Sequence, residues 1–156
     1  MKIRLFMFAV LVLALAALAM AADDPFVGTW KLNVAKSKYG LRQPQKNEIL
    51  KIDAQQNGLK YVADGVDAEG KAIHFEFSPK YDGKFYPVTG TVAAGSDMAL
   101  RKIDANTREL VLKIGGKDIQ RRRDVISKDG KTLTRTVTAM TTKEQDTKDA
   151  IVFDRQ

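Results

Sequence analysis

The sequence predicts an all-β domain, a single antiparallel up-and-down (meander) β-barrel of about eight to ten strands, lipocalin-like in its topology and set behind an N-terminal export segment. Two observations carry this. Turn signals recur at short intervals after Asn47: Asn57-Gly58, Asp67-Ala68-Glu69-Gly70, Asp82-Gly83, Asp104-Ala105-Asn106, Gly115-Gly116 and Asp129-Gly130. Asn-Gly, Asp-Gly and Gly-Gly supply the positive φ angles of tight hairpin turns. Between the turns, apolar residues alternate with polar ones, so one face of each strand is buried and the other is wet.

The first 21 residues come before the domain. Lys2 and Arg4 precede an apolar run that ends in Ala19-Met20-Ala21, a small-x-small pattern that a signal peptidase accepts. Residues 1–21 are expected to be a secretory signal, cleaved after Ala21 or Ala22, and the product is expected to be periplasmic or secreted. An uncleaved anchor is the alternative, because Leu5 to Ala22 approaches the roughly 18 residues that can just span a bilayer. Residues 22–156 then form one domain of ordinary size. The chain has no cysteine, which excludes disulfides, thiol catalysis, cysteine-ligated metal and a lipidated cysteine.

Strands are expected near 26–33, 47–54, 59–66, 71–78, 84–88, 97–104, 107–114, 118–127, 131–139 and 149–155. Ile73-His74-Phe75-Glu76-Phe77 puts Ile73, Phe75 and Phe77 on one face and His74 on the other. Thr132-Leu133-Thr134-Arg135-Thr136-Val137-Thr138 repeats the alternation with β-branched threonines outside, which disfavours a helix. So many consecutive antiparallel strands leave exposed edges unless the sheet closes, hence the barrel; a two-sheet sandwich is the alternative.

The formal charge of +7 falls to about +5 once Lys2 and Arg4 are removed. No basic stripe carries interleaved aromatics, so nucleic acid is not expected as a partner. The only histidine, His74, is phased to the wet face, which disfavours a Ser-His-Asp triad and a histidine metal site. No glycine-rich phosphate loop precedes a helix. Neither cofactor nor metal is expected. Paired carboxylates stay open as a chemistry, although most Asp and Glu lie in turns.

Three stretches resemble a known group. The opening Gly28-Thr29-Trp30-Lys31-Leu32-Asn33, followed by Ala35-Lys36-Ser37-Lys38, is similar to the first strand of the calycin superfamily, which unites lipocalins and fatty-acid-binding proteins. With Tyr81-Asp82-Gly83-Lys84-Phe85-Tyr86-Pro87-Val88-Thr89-Gly90 and Ser127-Lys128-Asp129-Gly130-Lys131-Thr132-Leu133-Thr134, it looks like a set of small secreted bacterial lipocalin-like proteins. The resemblance implies that Trp30 plugs one end of the barrel beside Gly28, and that a basic side chain covers it. Arg155 is the candidate cover, and a solvated terminus is its alternative. Only about a dozen residues, roughly Val34 to Lys46, separate the first two strands. That leaves no room for the two-helix lid of fatty-acid-binding proteins, so the lipocalin-like branch is preferred.

Candidate ligand-binding residues follow from strand phase. Tyr61, Phe75 and Phe77 are expected to face the interior. If Ile119 and Val125 point inward, Arg121 and Arg123 follow them and Arg122 points out. Ile126 sits on the opposite phase, which favours a solvated, charged strand that discourages edge pairing over an inward anion site. Arg135 shares its face with Leu133 and Val137, and a guanidinium facing a closed interior must have a partner: an internal carboxylate, a tyrosine such as Tyr61, or an acidic ligand head group.

The leading expectation is reversible binding of a small, partly apolar molecule, either neutral or carrying an anionic group, with no stable membrane insertion after cleavage. A filled barrel acting as a non-catalytic interaction or envelope-stress module is the second. An enzyme, either a calycin-type isomerase or a carboxylate-pair hydrolase, is the third.

Overall fold

The computed structural model describes residues 24–40, 42–140 and 148–156. The expected signal, residues 1–21, lies outside them. The described strands are β1 (Gly28–Leu32), β2 (Asn47–Gln55), β3 (Gly58–Val66), β4 (Ala72–Phe77), β5 (Phe85–Pro87), β6 (Thr89–Gly90), β7 (Ser96–Lys102), β8 (Thr107–Ile114), β9 (Lys117–Ile126), β10 (Thr132–Ala139) and β11 (Lys148–Arg155). They form one antiparallel sheet in the order β5-β7-β8-β9-β10-β11-β1-β2-β3-β4-β6. The last strand pairs with the first, Trp30 opposite Arg155, and this pairing rolls the meander into a nearly closed barrel.

The sheet's two edges are consecutive in the chain, so only Val88 separates β5 from β6. Here the expected strand near 84–88 is in fact two. Val88 still donates its N–H to Ser96 O at 2.9 Å on the β7 side, whereas Thr91 N donates to His74 O at 2.6 Å on the β4 side. Gly90 makes this crossing possible: its φ is 112°, and a side chain there would strike the His74 carbonyl. Pro87, which has no N–H to offer, sits on the edge strand β5, where none is needed.

Period-two alternation places the core inside. Along β2, Glu48, Leu50 and Ile52 are buried while their neighbours are exposed or half-buried, and along β10 Leu133, Arg135 and Val137 are buried between half-buried threonines. Leu50, Tyr61, Leu100, Leu133 and Phe153 are among the residues of the buried core.

One end is plugged by the segment that leads into β1. Phe26 is buried, and the Trp30 indole Nε1 donates to its carbonyl at 2.9 Å. The Arg155 guanidinium lies 4.2 Å from the centre of the Trp30 ring and donates to Val27 O, Pro25 O and Gly130 O at 3.0, 2.6 and 2.7 Å. Gly28 is what lets the arginine pass. Its φ is 141°, and a Cβ would lie 2.7 Å from Arg155 Nη1.

At the other end, the β1–β2 connection contains, among the described residues, a single 3-10 turn, η1 (Val34–Lys36), whose Lys36 N–H is accepted by the Asn33 side chain at 3.0 Å. It is tied down by Asp149 on β11, which accepts from Gly40 N at 2.8 Å and from Arg42 Nε at 3.0 Å.

Candidate functional site

Three register partners build the polar centre of the barrel. Asp124 on β9 stands opposite Arg108 on β8 and Arg135 on β10. Arg135 donates Nε and Nη2 to Asp124 Oδ1 and Oδ2 at 2.8 and 2.9 Å. Arg108 donates Nε and Nη2 to Oδ2 at 3.2 and 3.0 Å. All three side chains are buried. The Arg108 guanidinium also lies 3.8 Å from the Phe26 ring centre and 4.9 Å from that of Tyr61, so two aromatic faces replace part of its lost water.

Burial alone would push the Asp124 carboxyl up. The charges and hydrogen bonds of Arg135 and Arg108 more than reverse this and bring it down to about 2. A carboxylate held this way stays ionised at neutral pH and has both oxygens engaged, so it is unsuited to general acid–base work. Burial also acts against the charged form of Arg135, yet Asp124 holds its proton more tightly than usual.

Arg135 therefore points inward, with an internal carboxylate as its partner. Tyr61 is buried and stacks on Phe77, with ring centroids 4.6 Å apart, and burial pushes its phenol up; its hydroxyl finds no partner among the described residues. Phe77 is buried beside it, whereas Phe75 is only half-buried. The arginine run on β9 has the opposite phase to the one that Ile119 and Val125 suggest. Arg121 and Arg123 are exposed, Arg121 facing Glu109 at 3.7 Å on the outer surface, while Gln120, Arg122 and Asp124 lie on the inner face with buried Ile126. Val125 is itself exposed. The physical reason is that a charged trio can be buried when its members satisfy one another, and apolar periodicity does not register that.

Sequence reasoning thus missed Arg108, Arg122, Asp124 and the buried Glu48. Ile126, sharing a phase with Asp124 and Arg122, was the signal that pointed to those two.

The barrel is not filled throughout. Away from the plugged end, a cleft of about 150 Å³ is walled by Phe75, Val88, Met98, Leu112 and Ile114, with Arg122 among its lining residues. Arg122 donates to the neutral Gln120 Oε1 at 3.2 and 3.4 Å and has no carboxylate within ion-pair distance among the described residues. Burial, followed by the nearby charges of Arg135 and Arg42, lowers its proton affinity to about 9, which leaves it charged at neutral pH.

His74 is exposed and pairs through Nδ1 with Asp64 Oδ1 at 2.7 Å. No cluster of three or more potential metal ligands occurs among the described residues. The arrangement offers an apolar cleft beside a guanidinium, with a buried ionic centre elsewhere in the interior in which Asp124 has both oxygens engaged and Arg108 Nη1 has no hydrogen-bond partner among the described residues. No protein-family model matches this chain, and no curated protein is significantly similar to it.

Proposed function

We propose that this chain is an exported, lipocalin-like protein of calycin type, made mature by removal of residues 1–21, whose domain at 22–156 reversibly binds a small, partly apolar molecule. The single observation that carries the reading is the apolar cleft beside Arg122 in an otherwise packed barrel. Small-molecule sites are mostly apolar hollows with a few placed polar groups. The calycin relationship is supported by Gly28 and Trp30 on β1, by the Arg155 guanidinium over the indole, and by an inter-strand connection with one 3-10 turn in place of a helical lid.

A second reading has its own support. Trp30, Tyr61, Phe153 and the Arg108–Asp124–Arg135 trio fill most of the interior, as in small barrels that hold no ligand. On that reading the protein is a non-catalytic interaction or envelope-stress module. Native mass spectrometry of protein purified from its own compartment separates the two. A non-covalent adduct of a few hundred daltons or less, shed on collisional activation, is expected for a binding protein. A clean apo mass under the same gentle conditions favours the filled module.

A further inference from the structure

We infer that Arg122 and the cleft beside it form a site for a small monoanion, namely a carboxylate carrying one aromatic ring or a short branched chain. This deepens the reading of the barrel as a binding protein and rests on it. Arg108 and Arg135 each turn Nε and Nη2 to Asp124, and neither lines the cleft, although Arg108 Nη1 is buried without a hydrogen-bond partner among the described residues. Arg122 differs. Its protein partner is a neutral amide on its own strand, reached at the long end of the hydrogen-bond range. A guanidinium has five donors in a planar fork that matches a carboxylate, so several remain for a ligand.

The charge balance points the same way. Arg108, Arg122 and Arg135 lie on inner faces, as do Asp124 and Glu48; even with both carboxyls ionised, one positive charge is left over. Arg42 and Asp149 form their own pair at 3.0 Å. Two guanidiniums sharing Asp124 leave one positive charge at that trio, whereas the Arg122 fork, with a neutral amide as its hydrogen-bond partner, is the one that borders the cleft. Glu48 acts on Arg122 electrostatically without coming within ion-pair distance among the described residues. One surplus charge suits one negative charge, and a carboxylate in the neighbourhood weighs against a dianion such as phosphate.

Size fixes the rest. The cleft's volume of about 150 Å³ is comparable to that of apolar cavities of about 150 Å³ that accept one benzene ring, and lies below the 300 Å³ or more of drug-sized pockets. Phe75, Met98, Leu112 and Ile114 offer that ring apolar walls, while a long acyl chain has nowhere to go past the packed centre.

Isothermal titration calorimetry of the mature protein at pH 7 with benzoate, benzamide and dodecanoate tests this. Benzoate should bind at least tenfold more tightly than benzamide and more tightly than dodecanoate. Arg122→Met should bring benzoate down to the level of benzamide while leaving benzamide within about twofold, Arg122→Lys should keep part of the preference, and Arg121→Met, on the outer face, should change neither. Equal binding of benzoate and benzamide, or an equal loss of both in Arg122→Met, overturns the anion site and leaves the cleft reading standing. Tighter binding of dodecanoate than benzoate overturns the size limit. If neither benzoate nor benzamide binds, the cleft reading falls as well. Should Arg122→Met fail to fold, the wild-type comparison of benzoate with benzamide, and its weakening by salt, still decides the matter.

Discussion

Arg135 and Asp124 face each other across the β9–β10 ladder as direct register partners, joined by two hydrogen bonds of 2.8 and 2.9 Å in a fully buried setting. Arg108 reaches the same carboxylate from β8, so one aspartate ties three adjacent strands together. Removing one member of such a set leaves a charge buried without its counterpart. Arg135→Met and Asp124→Ala should each lower stability by about 3–5 kcal/mol in urea unfolding. The combined Arg108→Leu, Asp124→Leu, Arg135→Met variant should recover much of that loss, because apolar replacement of a whole buried ionic set is often near neutral. Additive losses in the triple variant would show that packing, and not charge pairing, sets the cost.

Acid should reveal the same trio. The folded Asp124 carboxyl sits at about 2, below the value of about 4 expected in the unfolded chain. Its contribution is therefore fully present above about pH 4, is lost as the pH falls toward 2, and amounts to roughly 2 kcal/mol. Urea midpoints measured from pH 6 to pH 2 should fall over this window in the wild type and more gently in Asp124→Asn. Parallel profiles would mean that Asp124 titrates alike in both states.

The plugged end makes a separate prediction. Trp30→Ala should cost about 3–5 kcal/mol, since the indole is wholly buried. Gly28→Ala should cost about 1–3 kcal/mol through its positive φ and the collision with Arg155. In the double variant Gly28→Ala, Arg155→Ala the collision is gone and the added cost of the alanine should shrink to the backbone part. An unchanged cost would place the whole effect in the backbone.

Much of this fold was legible because turn chemistry and two-residue alternation are local. The Asn57-Gly58 hairpin joins β2 to β3, and the threonine face of β10 fixed Arg135 as inward. The β5–β6 split was not legible, since Pro87 and Gly90 punctuate the stretch but do not say that the chain changes its pairing partner between them, from β7 to β4. Nor was the phase of β9. Ile119 and Val125 argued for one face and Ile126 for the other, and what decided it was the alignment of Arg108, Asp124 and Arg135 across three strands, a register that no single strand announces. With that register unknown, Gln120, Arg122 and Asp124 look like surface residues.

The corrected phase has its own measurable consequence. Arg121→Ala and Arg123→Ala should change stability by no more than about 0.5 kcal/mol, as expected for exposed positions. Asp124, lying between Arg123 and Val125 on the same strand, should be an order of magnitude more sensitive. A large loss in Arg123→Ala would return that arginine to the interior.

The central claim, that the barrel keeps a small apolar cleft beside a packed interior, is tested most directly by methyl NMR during titration with toluene. The account predicts saturable shifts confined to Val88, Met98, Leu112 and Ile114, which wall the cleft, with Leu50, Leu133 and Ile151 in the packed core unmoved. Shifts that never saturate, or that appear first in the core methyls, would contradict it.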